Sequence, residues 1–280
     1  MNFDCMRPSF SPMSRRHLIA SLGAGGMLVA CSKAAPKADT QWESFSENGK
    51  PVDHSAWDAF LTAFVRPSAD GVNRVDYGGI VKDGRAPLQS YLGTLQKINV
   101  ADLTKPEQFA FWVNLYNAAT VDTIVESYPV ASIRELGSLG QGPWKDNRLK
   151  VAGKDLSLDD IEHKILRPIW KDVRVHYAVN CASIGCPNLA TKAYAGDRLD
   201  AMLNAAATAY VSHPRGFADR DGALVASSIF DWYGSDWAGE EGVLAHARSV
   251  SDPTATPLLK SATKIASYDY DWGLNDVANG

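Results

Sequence analysis

The sequence predicts an α+β fold, a helix-rich single domain with a small sheet. Apolar residues recur at the spacing of a helix face in several long segments. Segments that alternate or are rich in β-branched residues are short and scattered, which favours α+β over a doubly wound parallel sheet. A hydrophobic content of 45% and a charged content of 21% are ordinary for a folded chain of 280 residues.

The pattern places the elements in order along the chain. Helices are predicted at 53–65, 87–98, 105–128, 157–166, 197–211, 240–250 and 256–262. Strands are predicted at 72–77, 148–152, 173–180 and 264–270, with a hairpin at 218–226 around Asp221 and Gly222. Thr104 is expected to cap the longest helix, and Ser157 with Asp160 has the spacing of a capping box.

Residues 1–31 are expected to be an export signal. Arg15 and Arg16 precede an apolar run, 18–30, that is shorter than the roughly 20 residues a membrane-spanning helix needs. Paired arginines are typical of twin-arginine export. The run ends in a sequence that resembles a lipobox, so Cys31 is the predicted lipidation site. The alternative is ordinary cleavage near Ala30, which would release a free periplasmic product.

The rest of the chain divides into a tether and one domain. Residues 32–51 are polar and predict a flexible tether, and 52–280 predict a single globular domain. The expected location is the periplasmic face of a bacterial envelope membrane, bound through the lipid. Ser32 gives no reason for inner-membrane retention, which favours the outer membrane. A net charge of −4 without a basic stripe argues against a nucleic-acid partner.

Two cysteines of the predicted domain, Cys181 and Cys186, allow three interpretations. An oxidising compartment and four intervening residues allow a structural disulfide. Cys181 could instead be a nucleophilic thiolate, which needs a base or a positive neighbour. A metal site lacks the usual ligand spacing, so no metal and no other cofactor is predicted.

Glu162, His163 and His176 supply the residue types that a thiol hydrolase needs beside Cys181. Five residues of straight strand would separate His176 from Cys181 by roughly 16 Å. Adjacent Glu162 and His163 are also expected to diverge around a helix. The structural alternatives are a surface position for His163, a core position for His176, and an ion pair between Glu162 and Arg167.

Asn114 and Asn117 lie within an apolar segment of the longest predicted helix. Asparagine is a poor helix-interior residue and is costly to bury without partners. Both side chains are therefore expected either to brace the backbone of a loop or to take part in binding at a site.

Several segments together resemble the family catalogued as domain of unknown function 547. They are FWVNLYNA (111–118), IEHKILR (161–167), VHYAVNC (175–181), IFDWY (229–233) and YDYDW (268–272). The resemblance covers about 105–275 and implies a core similar to papain- and transglutaminase-like cysteine hydrolases. It makes Cys181, His163 or His176, and Glu162 candidate catalytic residues, in a chain order that differs from the usual Cys, His, acid.

Two hypotheses for function follow. In the first, an envelope hydrolase or acyltransferase of the cysteine peptidase or amidase type uses Cys181 to attack a carbonyl of a peptide or envelope polymer. A histidine then takes the thiol proton, and Glu162 orients that histidine. In the second, the protein is a non-catalytic envelope binding protein with a Cys181–Cys186 disulfide.

Overall fold

Helices form most of the fold, which confirms the predicted α+β class. The computed structural model describes residues 36–137 and 142–279. The predicted signal, including the lipidation site Cys31, lies outside these residues. The α-helices are α1 (Ser55–Phe64), α2 (Tyr77–Gly79), α3 (Arg85–Leu95), α4 (Lys105–Ser127), α5 (Leu158–Asp160), α6 (Arg167–Trp170), α7 (Val175–Ala178), α8 (Leu199–Ser212), α9 (Ser228–Trp232), α10 (Glu240–Val250) and α11 (Leu258–Ser261). Two π-helical segments, Ile80–Gly84 and Ile161–Leu166, join α2 to α3 and α5 to α6.

The strands form small sheets among the helices of the described residues. They are β1 (Val65–Pro67), β2 (Asn73–Val75), β3 (Leu149–Val151), β4 (Lys154–Leu156), β5 (Phe217–Arg220), β6 (Ala223–Ser227) and β7 (Ser267–Asp269). β1 pairs with β2, β3 with β4, and β5 with β6, each antiparallel. β7 lies parallel to β6, with Val225 opposite Ser267. This pairing brings the late part of the chain beside the middle of the fold.

Both predicted helix caps are present. The backbone N–H of Glu107 donates to Thr104 Oγ1 at the start of α4, over 3.4 Å. Ser157 and Asp160 form a reciprocal capping box at the start of α5. These caps satisfy N–H groups that have no partner within the helix, so the starts of both helices follow from short-range sequence.

The segment 173–180 is not the predicted strand. It contains the helical turn α7, and the backbone is extended only from Val179. Every residue from Val175 to Asn180 is buried. A short apolar run that is buried on all sides has no strand-like alternation to reveal its conformation. The chain therefore turns at His176 rather than running straight to Cys181.

The helix predicted at 157–166 continues further than expected. The π-helical segment leads directly into α6, and Pro168 lies in the first turn of that helix. Proline is tolerated there because its missing N–H would have no helical partner. Pro168 therefore does not end the helical run, which closes at Lys171 with a left-handed φ of 53°.

The globular part of the fold begins before residue 52, the predicted start. Trp42 is buried and packs edge-on against Trp112, with ring centroids 5.1 Å apart. The N–H of Asp39 donates to the Lys164 carbonyl over 2.9 Å, and Gln108 Nε2 donates to the Ser44 carbonyl over 3.0 Å. The later half of the predicted tether is thus fixed on the domain, because an aromatic ring and backbone hydrogen bonds hold it.

Two hydrophobic clusters form the interior. The larger surrounds α4 and includes Val175 and Ala178 of α7. The smaller is built on β5, β6 and the C-terminal helices, and it includes Tyr177 of the same turn. α7 therefore lies where the two clusters meet. Within the described part of the chain, no helix has the length and hydropathy needed to cross a membrane.

Replacing Trp42 by alanine tests whether the segment before residue 52 belongs to the fold. The side chain is 5% exposed, and truncating a buried tryptophan costs about 3–5 kcal/mol of unfolding free energy. We expect a loss of this size for W42A in chemical denaturation. The exposed neighbour Gln41, changed to alanine, is the control and should have little effect. Equal stability of W42A and wild type would show that the segment is a free tether.

Candidate cysteine-loop site

Asn117 fixes the backbone that leads to Cys181. Its side chain projects from the buried helix α4 and is 2% exposed. Asn117 Nδ2 donates to the Ala178 carbonyl over 2.9 Å, and its Oδ1 accepts the N–H of Asn180 over 2.8 Å. The side-chain amide thus pairs with the backbone on both sides of Val179, where α7 gives way to extended chain.

Asn180 closes the loop that follows. Its Oδ1 accepts the N–H of Ala182 over 2.9 Å, and its Nδ2 donates to the Pro187 carbonyl over 2.7 Å. The two contacts tie the beginning of the loop to its end. Ala182 has a φ of 61°, a left-handed conformation that costs energy for residues other than glycine. We call residues 180–187 the cysteine loop.

The structure pairs Cys181 with Cys186 as a disulfide, as the second hypothesis predicts. Their Cα atoms are 6.1 Å apart, which lies in the usual range for a disulfide. Cys186 is buried at 3% exposure, whereas Cys181 is partly exposed. In 36–137 and 142–279, no three His, Cys, Asp or Glu side chains are grouped so that they could hold a metal ion.

Two hydroxyl groups surround the Cys181 sulfur. Cys181 Sγ lies 3.2 Å from Ser183 Oγ and 3.0 Å from Tyr270 Oη, and the two oxygens are 3.0 Å apart. Burial and the nearby Tyr210 raise the pKa of Tyr270 well above its ordinary value. The phenol is therefore protonated at neutral pH, so it can donate a hydrogen bond but cannot act as a base.

Tyr270 reaches this position because the chain after β7 runs beside the cysteine loop. The N–H groups of Ile184 and Gly185 donate to the carbonyls of Gly273 and Asp271, over 2.7 and 2.8 Å. A Cβ on Gly185 would approach the Asp271 backbone to 2.9 Å, so this close pairing requires glycine. Ser183 and Tyr270 were not among the sequence candidates. Tyr270 lies in the YDYDW motif, but the long-range pairings of β7 and of the chain after it place it at the sulfur.

His176 is bound to Asp236 and forms no hydrogen bond to Cys181. His176 Nε2 lies 2.8 Å from Asp236 Oδ2, and its ring stacks on Tyr233 with centroids 4.5 Å apart. Burial lowers the pKa of His176, although the bond to Asp236 opposes this. Burial also acts to raise the pKa of Asp236, but hydrogen bonds from His176 and Arg167 more than offset it and hold that pKa well below its usual range. The neutral imidazole thus donates from Nε2 to an ionised carboxylate.

His163 is engaged by Arg167. Arg167 Nη1 lies 3.1 Å from His163 Nδ1, and a guanidinium can only donate, so Nδ1 accepts this bond. Arg167 also binds Asp236 through Nε and Nη2, over 2.7 and 2.9 Å. The predicted Glu162–Arg167 ion pair is not among the ion pairs of the described residues, because Asp236 takes the guanidinium. Asp236 carried no recognisable signal in the sequence.

Glu162 lies beside His163, in the same group of side chains as Arg167 and Asp236. Its Oε2 accepts the Tyr116 hydroxyl over 3.2 Å, and its Oε1 lies 3.8 Å from His163 Nδ1. The two neighbouring side chains were expected to diverge, yet they approach each other on the π-helical segment Ile161–Leu166. A carboxylate held by a tyrosine hydroxyl in a buried setting is paired rather than isolated.

The candidate residues therefore form two groups. Glu162, His163 and His176 gather around the Arg167–Asp236 ion pair. Cys181 instead contacts Ser183 and Tyr270, and within the part of the chain that the structure describes no imidazole forms a hydrogen bond to its sulfur.

The side-chain amide of Asn114 holds loop backbone in the same way as that of Asn117. Its Nδ2 donates to the Tyr194 carbonyl over 2.8 Å, and its Oδ1 accepts the Tyr194 N–H over 3.0 Å. Both asparagines of α4 thus direct their amides to loop backbone, which is the bracing alternative. A binding role for either residue stays a prediction.

A row of partly buried aromatic rings borders the cysteine loop. Tyr270 lies 4.8 Å from Trp232 and 4.6 Å from Trp272, and Trp144 lies 5.9 Å from Trp272, between ring centroids. Arg134 stands over the Trp272 ring at 5.2 Å. We call these four rings the aromatic row. It places apolar surface beside the hydroxyls of Ser183 and Tyr270.

Fold and site together define a helix-rich α+β domain with a disulfide-closed loop that is anchored on a buried helix. Residues 100–211 match the model of the family described as "Protein of unknown function, DUF547", the family that the sequence motifs resemble. The match contains α4, the 161–167 motif and the cysteine loop, while the motifs at 229–233 and 268–272 lie beyond it. Searches of the curated proteins and of the solved structures give no match. The papain-like similarity of the core stays a prediction.

Replacing Asn117 by alanine should destabilise the fold. The change leaves the Ala178 carbonyl and the Asn180 N–H without partners, and each buried unsatisfied group costs about 1–3 kcal/mol. We expect N117A to lose about 2–4 kcal/mol of unfolding free energy in chemical denaturation. Asn48→Ala, at an exposed asparagine, is the matched control. Equal losses of unfolding free energy in the two variants would show that the Asn117 side chain does not hold this backbone.

The fold should lose stability between neutral and mildly acidic pH. Burial lowers the pKa of His176 below 6.5 in the folded chain, so the unfolded chain binds the proton first as the pH falls. The contribution of His176 is present above about pH 6.5 and is lost as the pH falls toward its folded pKa. His54, His213 and His246 are shifted in the same direction.

Unfolding free energies measured from pH 7 to pH 5 test this dependence. We expect the wild type to weaken over this range and His176→Gln to weaken less steeply, because one of the four groups is removed. An identical slope in both proteins would show that His176 is not held neutral.

Proposed function

We propose that this protein is exported, tethered to an envelope membrane by a lipid on Cys31, and acts there as a binding protein. Its ligand site is the aromatic row together with the hydroxyls of Ser183 and Tyr270. The Cys181–Cys186 disulfide holds the cysteine loop against this surface. The tethering rests on the sequence signals, and the binding role rests on the geometry of the site.

One observation favours a binding protein over a cysteine hydrolase. A cysteine hydrolase needs a free thiol and an imidazole nitrogen that can take its proton. Here the sulfur of Cys181 is paired with Cys186. His163 Nδ1 accepts from Arg167, and His176 Nε2 is bound to Asp236. The sulfur that a thiol mechanism needs is thus bound in the disulfide, and among the described residues no imidazole forms a hydrogen bond to it.

The aromatic row favours a ligand with apolar faces and some polar groups. Large planar side chains supply contact area at low conformational cost, and the rings of Trp232, Tyr270, Trp272 and Trp144 are partly exposed. The two hydroxyls beside Cys181 add hydrogen-bonding groups. Peptides and envelope polymers, the ligand classes that the proposed location offers, combine these features.

A second candidate function is favoured by the unequal exposure of the two cysteines. Cys181 is partly exposed and Cys186 is buried, so reduction would free a thiol that faces the site. In that state Cys181 would be the nucleophile of a hydrolase or acyltransferase, and a nitrogen of His163 or His176 would have to come within hydrogen-bond reach of its sulfur. Glu162 would orient that histidine.

The thiol state of the protein, purified under the redox conditions of its compartment, separates a disulfide-closed binding protein from a hydrolase whose cysteines are held reduced there. The measurement is the mass after alkylation, with and without reductant. For the binding protein we expect no labelling of Cys181 or Cys186 until reductant is added. We also expect Cys181→Ser and Cys186→Ser to lower stability equally, because either change removes the same disulfide, which is typically worth about 2–4 kcal/mol.

The hydrolase candidate predicts a different pattern. Both thiols would then label without reductant, and Cys181 would label fastest near pH 6–7 because a nucleophilic cysteine has a lowered pKa. Cys181→Ser would abolish this reactivity and keep the stability, while Cys186→Ser would keep the reactivity. This result would overturn the binding-protein proposal.

A further inference from the structure

A groove opens where the described chain begins, between the segment that starts at Pro36 and the residues around Pro168. It has a volume of about 450 Å³. Its walls include Pro36, Phe45, Lys105, Pro168, Ile169 and Lys171. We call this surface the N-terminal face. It combines apolar side chains with lysines, and nothing in the proposed ligand site uses it.

The lysines of this face are available for an external partner. Lys105 and Lys171 are exposed, and so is Lys37, which follows Pro36 in the chain. Neither Lys105 nor Lys171 belongs to an ion pair among the residues described. Lys105 and Lys171 line the groove together with Glu43, so its lining carries an excess of one positive charge. The face therefore attracts an anionic partner.

Aromatic rings accompany the lysines. Lys105 Nζ lies 5.4 Å from the centre of the Phe45 ring, and Phe45 packs edge-on against Trp170 at 5.7 Å. Trp170 is only partly buried. Amphipathic rings beside lysines are typical of protein surfaces that lie at the headgroup level of a membrane.

The length of the tether fixes how far this face can be from a lipid on Cys31. Pro36, on the groove, is five residues after Cys31, and a fully extended chain of that length spans at most about 18 Å. A lipid on Cys31 would thus hold the N-terminal face close to the bilayer. A basic surface within about a Debye length of anionic lipids, roughly 8 Å at physiological salt, gains attraction from each lysine.

We propose that the N-terminal face lies against the anionic headgroups of the membrane that holds the protein. The proposal rests on the proposed lipid anchor. Lys37, Lys105 and Lys171 bind the headgroups, and Phe45, Trp170 and Ile169 lie at the polar boundary of the bilayer. The domain is thereby held in one orientation instead of swinging on its tether.

Lysine labelling of the full-length, membrane-extracted protein tests this contact. The protein is mixed with vesicles that contain phosphatidylglycerol, with neutral phosphatidylcholine vesicles, or with detergent, and is then treated with a water-soluble amine reagent. We expect Lys105 and Lys171 to label at least about fivefold more slowly in the anionic vesicles, since each lysine contributes about one factor of five to surface binding. Lys82 and Lys260, exposed elsewhere, are the internal controls.

Two matched double variants test whether the lysine charges hold the N-terminal face on the membrane. Lys105→Gln combined with Lys171→Gln should remove the protection of Lys37 in anionic vesicles. Lys82→Gln combined with Lys260→Gln should keep it. Equal labelling rates at the face and at the control lysines in anionic vesicles would overturn the proposal.

Failure of the anchor and failure of the face are distinguishable. The mass of the N-terminal peptide reports whether Cys31 carries acyl chains. If the protein is acylated but the lysines of the N-terminal face label freely, the proposed membrane contact of the face is wrong and the lipid anchor stands. If the protein carries no acyl chains but anionic vesicles still protect the face lysines, the membrane contact of the face is supported and the lipid anchor is wrong. A protein with neither property contradicts both.

Discussion

The fold around the cysteine loop depends on one pairing, the amide of Asn117 with the backbone at Ala178 and Asn180. A carboxamide on an otherwise apolar helix must find partners, because leaving it unpaired in the interior is costly. Here the partners are the backbone groups at the end of α7. The hydrogen bonds of this one side chain therefore fix the point at which the chain leaves the helical turn. Asn180 then repeats the device and closes the loop.

The cysteine loop is held from several directions besides the disulfide. Tyr210 Oη donates to the Gly185 carbonyl over 2.7 Å, and Arg215 Nη1 donates to the Cys186 carbonyl over 2.8 Å. The segment after β7 pairs with the opposite edge of the loop. Because so many of its backbone groups are satisfied by fixed partners, the loop is preorganised.

Short-range patterns in the sequence predicted the longer helices, the caps at Thr104 and Ser157, and the hairpin. Long-range contacts set the parts that were missed. α7 was mistaken for a strand because complete burial hides the periodicity of Val175 to Ala178. The partner of His176 is Asp236, sixty residues away, and Tyr270 reaches Cys181 through the parallel pairing of β6 and β7. The candidates Cys181, Glu162, His163 and His176 were chosen by residue type, but type alone could not separate them into two groups.

The parallel pairing of β6 and β7 also sets the order in which the site can assemble on a growing chain. α4 and its two asparagines emerge from the ribosome well before Tyr270 and the segment that pairs with Ile184 and Gly185. A nascent domain can therefore bury most of its larger hydrophobic cluster while one edge of the cysteine loop still faces water. Until the last strand docks, the sulfur of Cys181 is open on the side that Tyr270 later covers. If the chain is exported already folded by the expected twin-arginine route, Tyr270 covers this side of the sulfur before the protein reaches an oxidising compartment.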